Sequence, residues 1–236
     1  MSLTALLVLA IVLAISFCLS AFVSSDYVTN RFTTSSLDIA LIEENYDKMT
    51  EKQRSELIPN RTLPKDPKVK NTDETDAFVF LKITVPIGAI TDVSEDGTRT
   101  VKQSQELFWI KTEQNKASTN HSTQFNTDAS DNNEYWVELP DCESGTDLSG
   151  ETRTYVFGYS VYLKPDEVSE TLFDYVQLKN TVQDEVNANS VLTINVQAYG
   201  IQADYLDDID KDNAGGKAVM TVSQLTEIFG YINDTE

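Results

Sequence analysis

A chain of 236 residues, 40% of them hydrophobic, can bury the core of one large domain or two small ones, and wholesale disorder is excluded. Its 38 acidic residues against 18 basic ones give a formal charge of −20. That surface repels nucleic-acid phosphates and anionic headgroups, so nucleic acid is ruled out as a partner class, and it favours solubility.

Residues 3–23 are apolar apart from Thr4, Ser16 and Ser20, and the first charge is Asp26. This length can cross a bilayer. Cys18 and Ser20 are small residues at the −3 and −1 positions for cleavage between Ser20 and Ala21, so residues 1–20 read as a signal peptide, with a retained anchor as the alternative. A basic stretch is missing ahead of the segment, since no Lys or Arg precedes Arg31. Cleavage removes Cys18 and leaves Cys142 alone, so the exported domain, residues 21–236, holds itself together without an internal disulfide.

Residues 32–42 alternate at Leu37, Ile39 and Leu41, which predicts a half-buried strand. Residues 46–58 carry helical spacing, and Pro59, Pro64 and Pro67 then mark an extended loop. Residues 77–85 predict the strongest strand, with Ala77, Val79, Leu81, Ile83 and Val85 on one face and Phe78, Phe80 and Lys82 on the other. Shorter strands are expected at 106–110 and 135–139, separated by a polar exposed loop over 114–133. Residues 154–163 and 191–203 complete the strands, and Val219, Val222, Leu225, Ile228 and Ile232 predict a closing helix over 217–232. Separated strands with long connections and only brief helices describe an all-β fold, an antiparallel β-sandwich with a few short helices.

Few residues suggest chemistry. The single histidine, His121, lies in the polar loop and reads as exposed; a zinc-protease helix needs two histidines and is excluded. Asp204, Asp207, Asp208, Asp210 and Asp212 cluster in one acidic loop. Asp208, Asp210 and Asp212 could turn oxygens toward calcium, although Asn213 and Val219 stand where an EF-hand loop needs glycine and glutamate. The other reading of the cluster is a solvated loop. Lys82, among aromatic residues, is either a snorkelling lysine or, if desolvated and neutral, the nucleophile of an isopeptide cross-link. No other cofactor is expected.

AFVSSDYVTNRFTTSSLDIAL after the apolar segment resembles the start of the TasA/camelysin group of Gram-positive biofilm matrix proteins. Phe32, Thr33, Leu37, Asp38 and Ile39 match that group's first strand, and Ser35 and Ser36 stand in its glycine region. LPKDPKVKNTDETDAFVFLKITVP is similar to the group's segment leading into its central strand, and VQAYGIQAD resembles the late strand of the BsaA-like clostridial branch. The resemblance covers most of the mature chain. It implies export with a signal peptidase of the SipW type, a jelly-roll-like sandwich and polymerisation with itself into extracellular fibres, with an accessory matrix protein as a further partner and no catalysis. Camelysins have also been classed as metallopeptidases, and a monomeric surface adhesin is a second alternative; no catalytic residue of the group can be placed here. Residues 21–31 hold no glycine or proline, and Phe22, Val28 and Phe32 fall on one side at even spacing. That pattern suits a donor strand completing a neighbour's sheet. A flexible tail or an edge strand of the chain's own domain are the other readings.

Overall fold

The computed structural model describes residues 37–55, 58–94, 96–117, 119–127, 134–142, 151–182, 185–186, 192–206, 209–214 and 216–233. In chain order they form β1 (Ile39–Ile42), the short helices α1 (Glu44–Asp47) and α2 (Glu51–Ser55), β2 (Thr62–Pro64), β3 (Lys68–Asn71), β4 (Ala77–Ile90), β5 (Gln103–Glu106) and β6 (Phe108–Lys111). β7 (Trp136–Glu138), β8 (Thr152–Tyr159), β9 (Tyr175–Leu178), β10 (Asn195–Gln202), β11 (Asp212–Asn213), β12 (Gly216–Lys217) and α3 (Val222–Asn233) follow. The fold is mostly β, and every strand pair is antiparallel.

From Ala77 to Leu81, β4 is buried on both faces. Such a strand must lie inside a sheet with a layer on each side. It pairs with β10 along one edge and β8 along the other; β7 extends the sheet beyond β8, and β5 pairs with residues 87–90 of β4. Val79, Leu81, Ile83 and Val85 join Tyr155, Phe157 and Tyr159 of β8 in one buried cluster. The same cluster takes in Leu63, Phe108, Ile110, Val176 and Leu178 from a three-stranded sheet of order β2-β9-β6.

The opposite face of β4 packs under α3. Leu225, Ile228 and Phe229 recur at helical spacing and are buried against Phe78, Phe80, Val156 and Ile201. Removing these three side chains from water contributes about 1.5–3 kcal/mol each. Gly158, opposite Phe80 in the register, leaves room for this layer: a Cβ there would lie 3.0 Å from the Phe80 ring and 3.3 Å from Leu225 Cβ. Helix α3 starts at Val222, later than its apolar spacing predicts, because Thr221 caps it. The Gln224 amide donates to the Thr221 hydroxyl, and the Thr221 amide donates to Gln224 Oε1. Thr50 and Gln53 repeat the arrangement at α2, which splits the single helix expected over 46–58.

Gly200 performs a similar service near the start of the described chain. A Cβ there would meet Leu37 Cδ2 at 2.6 Å, so the bare backbone lets Leu37 and Ile39 settle over β10 and against the core. Of the strand expected over 32–42, residues 32–36 lie outside the described residues; β1 pairs with β3, and Leu41 is exposed.

Candidate functional site

The segment LPKDPKVKNT holds the first functional-looking polar residues, and each proves to anchor the fold. Asp66 is buried, and its carboxylate accepts the backbone N–H groups of Asn45 and Tyr46, capping α1. Lys65 donates to Glu43 at 2.8 Å and lies 4.5 Å from the Tyr46 ring centroid. Asn71, fully buried, donates to the carbonyls of Thr75 and Leu163 and accepts from the Asp73 amide. Beside these residues a groove of about 210 Å³ opens at the start of β10. Its floor is Leu63, Phe108, Val176, Leu192 and Ile194, and its rim is Tyr46, Arg54, Lys65 and Thr193.

A second constellation lies on the outer face of the three-stranded sheet, where the described part of the polar loop is exposed at Gln114, Lys116 and Gln124 but packs inward at Asn115, His121 and Phe125. Lys111, on β6, is fully buried and donates to the carbonyl oxygens of Asn115, Ala117 and Asn120. Burial holds its ammonium below the usual lysine range. Phe125, further along the loop, packs on Tyr155, Phe157 and Phe173. His121 stacks on Trp109 with ring centroids 6.1 Å apart, and its Nδ1 lies 3.9 Å from Asp92 Oδ2. The histidine side chain is only 19% exposed. The loop histidine expected in solvent is thus part of a packed cluster.

Lys179 completes this group just beyond β9. Its backbone N–H donates to the Leu107 carbonyl, continuing the β6–β9 pairing, so Trp109 and Gln105 are its diagonal neighbours. The ammonium stands 3.6 Å from the Trp109 ring centroid and donates to Gln105 Oε1 at 3.0 Å. Lys179 is 3% exposed, and burial pushes its pKa down to about 8 against the upward pull of Glu106 and Asp92. Glu106 is also buried; it accepts a hydrogen bond from the Tyr155 hydroxyl and has Arg153 Nε at 3.5 Å. Among the described residues, Asp92 Oδ1 and His121 Nε2 are buried without a hydrogen-bond partner. Acidic, basic and amide groups therefore share a water-poor space, an arrangement suited to proton transfer and acyl chemistry.

Of the residues singled out in the sequence, Ser20, Ala21, Phe22, Val28, Phe32 and Asp208 lie outside the described residues. Lys82 is half-buried on β4, opposite Gln197 and Val156. Asp210 and Asp212 are exposed; Asp212 accepts the Tyr162 hydroxyl at 2.8 Å, and Asp204 pairs with Lys211. Among the described residues no group of three His, Cys, Asp or Glu side chains is placed to hold a metal ion. Lys179, Gln105 and Asp92 were missed by the sequence reading. Gln105 and Lys179 are 74 positions apart, and only the strand pairing brings them together.

Comparison with protein-family models, with curated proteins and with solved structures gives no match in any of the three.

Proposed function

We propose that the chain is an exported structural subunit that polymerises outside the cytoplasm into matrix or surface fibres. The proposal takes the two sheets around one core as a sandwich of the jelly-roll kind, and takes residues 21–31 of one copy as the strand that completes the next. The resemblance to the TasA/camelysin group gives the expectation, including cleavage after Ser20 by a SipW-type peptidase and an accessory matrix protein as partner.

One structural observation supports this reading: among the described strands β10 lies at the edge of its sheet, and it begins at an apolar groove. Its eight residues pair with β4 and with no other described strand. Leu192 and Ile194, immediately before it, belong to the groove floor. An edge strand presents unpaired N–H and C=O groups to an added strand, while a neighbouring apolar pocket takes its alternate side chains. Phe22, Val28 and Phe32 are the side chains the proposal sends there. The contact joins different surfaces of two copies, so it extends as a fibre instead of closing as a dimer.

Sedimentation of the purified mature protein, residues 21–236, beside its Phe22→Asp variant tests both parts. The expected result is large assemblies of the parent and loss of assembly in a variant that melts like the parent. A parent that stays monomeric at every concentration would favour the adhesin alternative. A variant that assembles as well as the parent would remove Phe22 from the contact.

A further inference from the structure

We infer that Lys179 and Gln105 join in an intramolecular isopeptide bond, Lys179 Nζ to Gln105 Cδ, stapling the end of β9 to β5. The two groups are already in contact: Nζ donates to Gln105 Oε1 at 3.0 Å, and Gln105 Nε2 donates to the Ile90 carbonyl at 3.2 Å. The amide is thus held at both ends, with its carbonyl turned to the lysine. The Trp109 ring covers the nitrogen from one side and Leu107 fixes the backbone of Lys179, so the approach is repeated in every molecule instead of sampled.

Each element of the reaction is present. Neutral Nζ adds to Cδ, forming the C–N bond and placing charge on Oε1; the C–Nε2 bond then breaks, and Nε2 departs as ammonia carrying a proton that began on Nζ. Lysine plus glutamine gives a secondary amide plus ammonia, with no oxidant, reductant or external reactant. Glu106 and Asp92 are the carboxylates whose charges act on Lys179; Glu106 is engaged by Tyr155 and Arg153, and the role of carrying that proton is assigned to Asp92. Its Oδ1 is buried without a partner among the described residues. Asp92 is here a proton carrier and Trp109 a positioning residue. Burial, which drives the ammonium toward its neutral form, supplies the nucleophile.

The chain's other buried lysines do not offer this chemistry. Lys65 is paired with Glu43 at 2.8 Å, so a carboxylate and not an amide faces its Nζ. Lys111 faces three backbone carbonyls, whose peptide bonds cannot be attacked without cutting the chain. Lys82, the lysine that the sequence pointed to, is half-buried and so meets the requirement for desolvation less well than Lys179.

Intact-mass measurement of the purified full chain tests the bond. The expected mass is about 17 Da below that of the sequence, one ammonia, and a tryptic digest should contain a branched peptide joining residues 103–111 to the peptide that carries Lys179. Gln105→Ala and Lys179→Arg should each restore the unmodified mass. On refolding, the mass loss should appear about tenfold faster for each pH unit gained below about pH 8, because only the neutral amine attacks. A folded protein at its full sequence mass would overturn the inference. So would a loss of about 18 Da, which marks a carboxyl acceptor, or a 17 Da loss that survives in Gln105→Ala. If either variant fails to fold, the branched peptide in the parent decides alone.

Discussion

Single residues carry this fold's polar interior, and their protonation sets its behaviour in alkali. Tyr162, buried and hydrogen-bonded to Asp212, has its pKa pushed up to about 12, chiefly by burial. Tyr155 and Tyr159 are raised in the same direction, again mainly by burial. A tyrosine raised in the folded state keeps its proton after the unfolded chain has lost it. Its contribution is therefore complete below about pH 10 and disappears as pH climbs through the folded value. Melting curves should shift to lower temperature above about pH 10, and Tyr162→Phe should flatten the part of that decline between about pH 10 and 12. Lys111 makes a different demand. Lys111→Met keeps the apolar stem and strips the donor from three carbonyls, so it should cost about 1–3 kcal/mol in denaturant unfolding. It should also speed amide exchange across residues 112–124, where the loop rests on that ammonium. Unchanged exchange there would mean that the loop is held by Phe125 and His121 instead.

At the scale of elements, legibility followed burial. β4 and β8 announced themselves because both faces are covered and their apolar runs are long. Helix α3 was legible from Leu225, Ile228 and Ile232, although Thr221 decided where it begins. β2, β3 and β9 were not, since each has three or four residues and a mixed composition: Pro64 ends β2, Lys68 and Lys70 alternate through β3, and Gln177 sits within β9. Their polar side chains are tolerated because loops and side-chain partners cover them, a fact of tertiary structure that no periodicity reports. The same reason hid the Lys179 cluster: in sequence, His121 and Gln105 are ordinary polar residues of polar stretches. Packing between α3 and the central sheet can be tested at Gly158. Gly158→Ala pushes a methyl into the Phe80 ring and Leu225, both confined by neighbours, and should destabilise by about 1–3 kcal/mol in chemical denaturation. A neutral substitution would show that α3 can lift from the sheet without loss.

For the whole molecule, the proposals describe a chain that changes state twice after leaving the cell: once when the signal is removed, and once when its new N-terminus finds a neighbour. Mass spectrometry of the extracellular protein should find Ala21 as the first residue; a product that keeps residues 1–20 would leave the donor segment tethered and unable to insert. A staple between β5 and β9 would serve such a polymer, because tension along a fibre acts on the strand pairing that it crosses. The most direct measurement deletes residues 21–31 from the mature protein and compares it with the parent by negative-stain microscopy at equal concentration. The account predicts fibres from the parent and folded, dispersed particles from the deletion. Fibres from the deletion indistinguishable from the parent's would contradict it.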